Sequence, residues 1–437
     1  MSAAMTENHR MDVISEYLAR TAGSADYHEQ ACRYLPGGET RSITHYEPYP
    51  VVLAEGHGAL LLDVDGNEYV DVLNNYTSLV HGHAFGPVIE AVQAALPTGT
   101  AFPAPHLRQL SHARTLTERY PAVERVRFTN SGTEAAMLAL RIARAATGRR
   151  RVVMFSGGYH GSVPDLIDGG PDTILAPYND AELTAAAIDS SVAAVFAEPF
   201  LGSGGVIPAA PEFLRVVQER VRAVGGLFVL DEVQSLRNAP HGVHPSIGLE
   251  PDLVLMGKII GGGFPVGAVG GRVSLMDLTS AARPGGLSCS GTFNGNVITM
   301  AAGSAALAAL DESAISTLNA RAQVLADQIE SAASQAGIPG SVTRAGSILQ
   351  VHLLDTRPST FEAAQVVPAG WISALHLALL LEGVYPAPRG MLNLSTALDD
   401  ALLARVADGY AGAFRRIRDL VSGGALLGSG ASGDETR

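Results

Sequence analysis

The sequence predicts an α/β protein, a mainly parallel sheet covered by helices on both faces, joined to a smaller α+β lobe. Three observations predict it. From about Gly82 to Leu310, short apolar runs alternate with helical stretches, the pattern that builds a parallel sheet through crossover helices. The runs in SVAAVFAEPF, GLFVLDEVQS and LVLMGK lack polar alternation, as strands buried on both faces require. From about residue 311, helices alternate with shorter strands.

Taken in order, the first 40 or so residues read as helix, with Met11 to Thr21 loosely amphipathic, up to the turn Pro36-Gly37-Gly38. A hairpin follows, VVLAEG and then ALLLDVDGNEYVDVL, with Asp65-Gly66-Asn67 as the turn signal between β-rich runs. Arg125 to Phe128 reads as a strand that passes through Thr129-Asn130 into SGTEAAMLALRIARAATG, a long amphipathic helix starting near Ser131. VVMFS is another strand, leading into Gly157-Gly158-Tyr159-His160-Gly161. Ser347 to Leu354 and Met391 to Ser395 belong to the small lobe. The expected division is an N-terminal segment 1–81, a large lobe 82–310, a C-terminal lobe 311–422, and a tail 423–437 whose small and polar composition predicts disorder.

Composition narrows the function classes. A chain of 437 residues, 47% hydrophobic and 17% charged, is expected to be a compact globule of two or three domains. A formal charge of −13 argues against a nucleic-acid surface, and the basic run Arg149 to Arg151 is too short to form a stripe. No apolar stretch approaches the roughly 18 residues of a membrane helix, and the opening MSAAMTENHRMDVIS has no secretory core. Cys32 and Cys289 stand far apart without metal-ligand spacing, so neither a disulfide framework nor a zinc site is expected, and the setting is a reducing cytoplasm. His81 and His83 in VHGHAF lack a third ligand at a recognisable spacing and are assigned to a loop.

Lys258 is the sole lysine among 30 lysines and arginines. An arginine does not shed its proton in a protein, whereas an amine can, and then becomes a nucleophile toward an aldehyde. Lys258 ends the run LVLMGK, as Asp231 and Glu198 end two others. In open α/β sheets ligands bind outside the carboxyl ends of the strands, so two acids and one amine are expected to converge on one crevice. Ser131-Gly132-Thr133 opens a helix, where backbone N–H groups and the helix dipole favour a phosphate; a simple helix cap is the other use of such a triplet. Tyr159 puts an aromatic ring at the same edge. A phosphate cradle, an aromatic, a buried carboxylate and an amine are the requirements of pyridoxal 5′-phosphate (PLP), with Asp231 keeping the pyridine nitrogen protonated and Lys258 holding the aldehyde.

Over nearly the whole chain the sequence resembles the class III aminotransferases, of the fold type I PLP enzymes. The motifs are NSGTEA (130–135), GGYHG (157–161), EP (198–199), DEVQ (231–234), GKIIGGGFPVGAVGG (257–271) and SGTFNGN (290–296). The resemblance implies a seven-stranded, mainly parallel sheet in the large domain and a small domain formed by both chain ends. It implies Ser131, Gly132 and Thr133 as phosphate ligands, Tyr159 stacking on the cofactor, Val233 on the opposite ring face, and Glu198 and Gln234 near the ring substituents. Thr292 resembles a residue that reaches the phosphate from a partner subunit, which implies a homodimer with shared sites. RYLPGGETRSITHYEPYP and DEVQSLRNAPHG are most similar to the branch holding glutamate-1-semialdehyde aminomutase and the aromatic β-amino acid aminotransferases. Ser235-Leu236-Arg237-Asn238 replaces the Thr-Gly and following GRTG of many class III sequences, which turns the resemblance away from the ω-amino acid and ornithine branches.

Arg41 in ETRSI and Arg389 in YPAPRGMLNLS match positions that hold substrate carboxylates in the β-amino acid members, a surface salt bridge being the alternative for each. Tyr76 in NNYTS matches an active-site aromatic position, with core packing as its alternative. The implied reaction moves the amino group of a β-amino acid, such as aromatic β-phenylalanine, to 2-oxoglutarate or pyruvate by a ping-pong route. The alternatives are an intramolecular aminomutase of the glutamate-1-semialdehyde kind and a non-catalytic PLP-fold binding protein.

Overall fold

The computed structural model describes residues 12–167 and 170–422; the expected disordered tail, 423–437, lies outside the described residues. The N-terminal helical stretch is two helices, 12–20 and Ala22–Ala31, broken where the Thr21 hydroxyl donates to the Tyr17 carbonyl. The hairpin is a three-strand meander of β1 (Leu53–His57), β2 (Leu60–Asp63) and β3 (Glu68–Asp71). Its Asp65-Gly66-Asn67 turn is tied by Asp63, whose carboxylate accepts the Asp65 and Asn67 N–H groups.

Seven strands form the main sheet: β4 (Arg125–Thr129), β5 (Arg151–Phe155), β6 (Thr173–Ala176), β7 (Val192–Ala197), β10 (Leu227–Asp231), β11 (Leu253–Gly257) and β12 (Gly267–Gly271). A short hairpin of β8 (Phe200–Leu201) and β9 (Ile207–Pro208) lies between β7 and β10 in the chain. The sheet order is β4-β12-β11-β10-β7-β5-β6, parallel except for β12, which runs antiparallel to both neighbours. β12 reads GAVGG and carries no strand signal of its own. Its glycines are there for closeness, since a Cβ on Gly267 would meet the Ser131 carbonyl oxygen at 1.9 Å.

Both sheet faces are covered, as the unbroken apolar runs required. On one face Ala194, Phe196, Leu227 and Val229 pack with Ala139 and Ile142 of the helix Gly132–Thr147. On the other Val195, Ala197, Phe228 and Leu230 pack with Val217 and Val221 of the helix Phe213–Ala223. Alternation within each strand thus serves two apolar layers. The C-terminal part contributes β13 (Ser341–Ala345) and β14 (Ile348–His352), which join β16 (Met391–Asn393) in an antiparallel sheet. β15 (Val384–Tyr385) pairs parallel with β3, so segments from both ends of the chain share one sheet. No described helix is long and apolar enough to cross a membrane.

Candidate active site

Reading across the sheet at its carboxyl edge, β11 delivers Lys258, β10 Asp231, β7 Glu198, and β5 the loop carrying Tyr159 and His160. β4 ends at Thr129, beside the start of the helix Gly132–Thr147. Five residue groups spread over 130 positions of sequence therefore line one edge because parallel strands end together.

Lys258 follows β11 directly, in a left-handed backbone conformation (φ 50°) that costs a non-glycine residue about 1–2 kcal/mol. Such strain concentrates at functional positions. Burial pulls the ε-amine from its ordinary 10.5 down to about 8; the charges of Arg389 and Arg41 act in the same direction, against Asp231 and Glu198. Asp231 is buried, accepts the Val233 N–H at 3.0 Å, and lies 2.9 Å from Nδ1 of the buried His160. Burial alone would lower His160, but the hydrogen bond and charge of Asp231 outweigh it and raise its pKa. Glu198 accepts the N–H groups of Tyr159 (3.0 Å) and Gly202 (3.2 Å), and burial pushes it up to about 7.

The helix start is built for close approach. Ser131 is the N-cap, its hydroxyl accepting the Glu134 N–H at 3.1 Å, so the cap reading of Ser131 holds for its side chain. The first-turn N–H groups of Gly132 and Thr133 have no intrahelical acceptor. The GGYHG loop packs tightly on this start: a Cβ on Gly161 (φ 88°) would meet Thr133 Oγ1 at 2.4 Å. Val233 faces the same spot, 3.5 Å from where a Gly132 Cβ would stand. Tyr159 is half exposed beside it. Gln234 keeps Oε1 buried without a partner among the described residues. Thr292 lies exposed in the 290–296 loop, which is held to the helix start by an Asn130–Asn294 hydrogen bond of 2.8 Å.

Arg41, Tyr76 and Arg389 come together from three distant segments. The Arg41 guanidinium lies 5.1 Å from the Tyr76 ring centroid and that of Arg389 5.6 Å, a cation–π distance in both cases. Arg41 donates to Asn75 Oδ1 at 2.7 Å, and the Tyr76 hydroxyl donates to the Ile43 carbonyl at 2.8 Å. Arg389 contacts Met391 Sδ at 2.7 Å, and its buried Nε has no partner among the described residues. Neither arginine forms a salt bridge among the described residues, so the surface ion-pair alternative is not what the geometry contains. Tyr76 is buried against Leu73, Phe200 and Met391, so its packing role is present as well.

His81 and His83 fall in the loop assigned to them, with His83 on Asp71 at 2.7 Å and His81 on Thr396 at 2.9 Å. Among the described residues no group of His, Cys, Asp and Glu can hold a metal. The sequence reading did not single out His160 as a partner of Asp231, nor Asn75 as the tether of Arg41. His160 is adjacent to Tyr159 in GGYHG, but its contact spans 71 residues and only the strand order creates it.

The chain matches the family described as Aminotransferase class-III over residues 42–167 and 170–396. The chain belongs to this family. It is 38% identical over 415 residues to a beta-phenylalanine transaminase of Variovorax paradoxus, covering 93% of this chain and 95% of that one. It is 35% identical over 402 residues to a glutamate-1-semialdehyde 2,1-aminomutase of Geobacillus kaustophilus, covering 85% and 93%. A solved transaminase with PLP bound superposes with a TM-score of 0.86 at 32% identity, covering 93% of this chain and 99% of the other. This class III aminotransferase is therefore a PLP-dependent transaminase of the fold type I architecture, and PLP is its cofactor. The residues present fit that group: first-turn N–H groups without an intrahelical acceptor for its phosphate, a buried carboxylate, an amide oxygen unpartnered among the described residues, and an amine whose pKa burial lowers to about 8.

Proposed function

We propose that this transaminase takes the amino group of a β-amino acid, aromatic β-phenylalanine being the leading candidate, and passes it to 2-oxoglutarate or pyruvate by a ping-pong route. The observation that carries it is the pair of guanidiniums, Arg41 and Arg389, packed on the Tyr76 ring with their charges acting on Lys258. A substrate amine at Lys258 thus has cationic partners for its carboxylate within the same field. The likeness to a beta-phenylalanine transaminase supports the donor class.

In this reading Gly132 and Thr133 would donate their N–H groups, and Ser131 and Thr133 their hydroxyls, to the cofactor phosphate. Tyr159 and Val233 would hold the ring from its two faces, Glu198 and Gln234 would meet its substituents, and Asp231, oriented by His160, would keep the proton on the ring nitrogen. When bound, PLP supplies an electron sink for the pair left on the donor carbon. Lys258 Nζ moves the proton from that carbon; a positioned base of this kind contributes about 10²–10⁴ in rate. Arg41 and Arg389 orient the carboxylate, and Tyr76 lines the side-chain pocket.

The working assembly in this reading is a homodimer, with Thr292 of each chain completing the phosphate site of the other. Phe293, next to Thr292, is exposed, as are Leu107 and Leu110 on the helix whose Gln109 donates to the Gly295 carbonyl. A cytoplasmic setting accords with Cys32 exposed as a free thiol. The likeness to an aminomutase supports a second reading, in which the same residues keep the intermediate bound and transfer nitrogen within one molecule. Incubation with β-phenylalanine and 2-oxoglutarate separates the two: glutamate formation is expected, and isomerisation of glutamate 1-semialdehyde without glutamate formation would reverse the ranking.

A further inference from the structure

We infer that Arg237 is a positioning residue for the carboxylate-binding side of the active site, acting through the backbone turn that carries Asn75 and Tyr76; this rests on the proposed role of Arg41 and Arg389. Arg237 belongs to SLRN, the segment that departs from the pattern of many class III chains, and no part of the site geometry above uses it.

The residues Asn74, Asn75, Tyr76 and Thr77 all have positive φ, between 47° and 76°. Four successive left-handed residues without a glycine are costly, at about 1–2 kcal/mol each, and persist only when surroundings over-determine them. Asp71 Oδ1 fixes the entry by accepting the Leu73 and Asn74 N–H groups, both at 2.8 Å. The exit is fixed by Arg237, which is fully buried and has no acidic partner among the described residues. Its Nη1 donates to the Thr77 carbonyl (3.4 Å) and to Asn393 Oδ1 (2.9 Å), its Nη2 to the Leu394 carbonyl, and its Nε to Ser347 Oγ (3.2 Å).

Asn393 closes the knot. Its Nδ2 donates to the Leu73 carbonyl at 2.6 Å, and its own carbonyl accepts Asn74 Nδ2 at 2.8 Å. One guanidinium therefore ties the left-handed turn to the strand that follows Arg389. What that turn presents is the Asn75 tether of Arg41 and the Tyr76 ring on which both arginines lie. The forked geometry of a guanidinium suits four acceptors in different directions, and a lysine cannot reproduce it. Desolvating a charge without a counter-ion is expensive, which makes a site where its geometry matters the reasonable place to find one.

The test compares holoenzyme variants by steady-state kinetics with a β-amino acid donor, beside the absorption spectrum of the bound cofactor. Arg237→Gln is expected to raise KM about tenfold with kcat within about threefold and the spectrum unchanged, and Arg237→Lys to recover part of the loss. In an Arg41→Ala/Arg389→Ala background the same substitution is expected to add less than twofold, because both groups it positions are gone. Equal effects in both backgrounds, a fall in kcat with altered cofactor absorbance, or an unchanged KM would overturn the inference. If Arg237→Gln fails to fold, Ser347→Ala removes one of the four contacts and is expected to raise KM two- to threefold with the same coupling; no rise, or an additive one, overturns it equally. The carboxylate role is judged in a separate arm, because it fails if Arg389→Ala and Arg41→Ala themselves leave KM unchanged.

Discussion

The carboxyl edge of the main sheet and the Arg41–Tyr76–Arg389 cluster solve different problems by different means. At the edge, regular parallel strands bring Lys258, Asp231 and Glu198 side by side, each one residue past or at the end of its strand. In the cluster, three remote segments meet on a run of left-handed backbone held by buried side-chain hydrogen bonds. On the proposed function the first region carries the amino-transfer chemistry, and repetitive backbone fixes it cheaply. On the same proposed function the second bears on which substrate enters, and irregular backbone there lets a few side chains set geometry without disturbing the sheet.

Substitutions at the two regions should therefore fail in different kinetic terms. The largest effect is expected at the edge: Asp231→Asn removes the buried charge proposed to face the ring nitrogen, and losing a preorganised electrostatic group of this kind costs about 10²- to 10³-fold in kcat. A KM effect alone would break the distinction. Next comes Arg389→Ala, which removes charge-assisted hydrogen bonds each worth about 1.5–3 kcal/mol and should raise donor KM about 10- to 150-fold. Restoration by Arg389→Lys would show that point charge, and no fork, is required.

A pH profile sharpens the account of the edge. With burial lowering its pKa to about 8, Lys258 is far more often neutral at pH 7 than an ordinary lysine. Its reaction with an amine-directed reagent in cofactor-free protein should climb about tenfold per pH unit and level off near 8; a rise continuing to 10 would contradict the lowered value. The linkage has a definite sign. The unfolded chain keeps this proton up to about 10.5, so this group makes cofactor-free protein more stable as pH rises from 8 to 10.5. The smallest effect is expected from Gly161→Ala, where φ is 88° and a Cβ would press on Thr133 Oγ1. Cofactor affinity should fall by up to about tenfold, measured by titration of the cofactor-free enzyme, while kcat at saturation changes little.

The same division governs how far the sequence could be followed. Strand ends were legible because an apolar run stopping at Lys258, Asp231 or Glu198 is a local signal, and parallel pairing puts those stops in one row. β12 was not legible as a strand, since GAVGG owes its glycines to the Ser131 and Asp252 carbonyls and the Val123 side chain pressed against it. Arg41 and Arg389 were legible only through family resemblance, and their shared ring, Tyr76, only as a position. The left-handed turn at 74–77 left no trace in NNYTS, because its support comes from Arg237 and Asn393, more than 150 and 300 residues away. Long-range side-chain ties of this kind have no period or spacing to detect.

The central claim is that the sole lysine carries the cofactor. Borohydride reduction of the PLP-loaded enzyme, followed by peptide mapping, should place a pyridoxyl group on Lys258 with a stoichiometry near one per chain. Reduced enzyme bearing no label on that side chain would contradict the account.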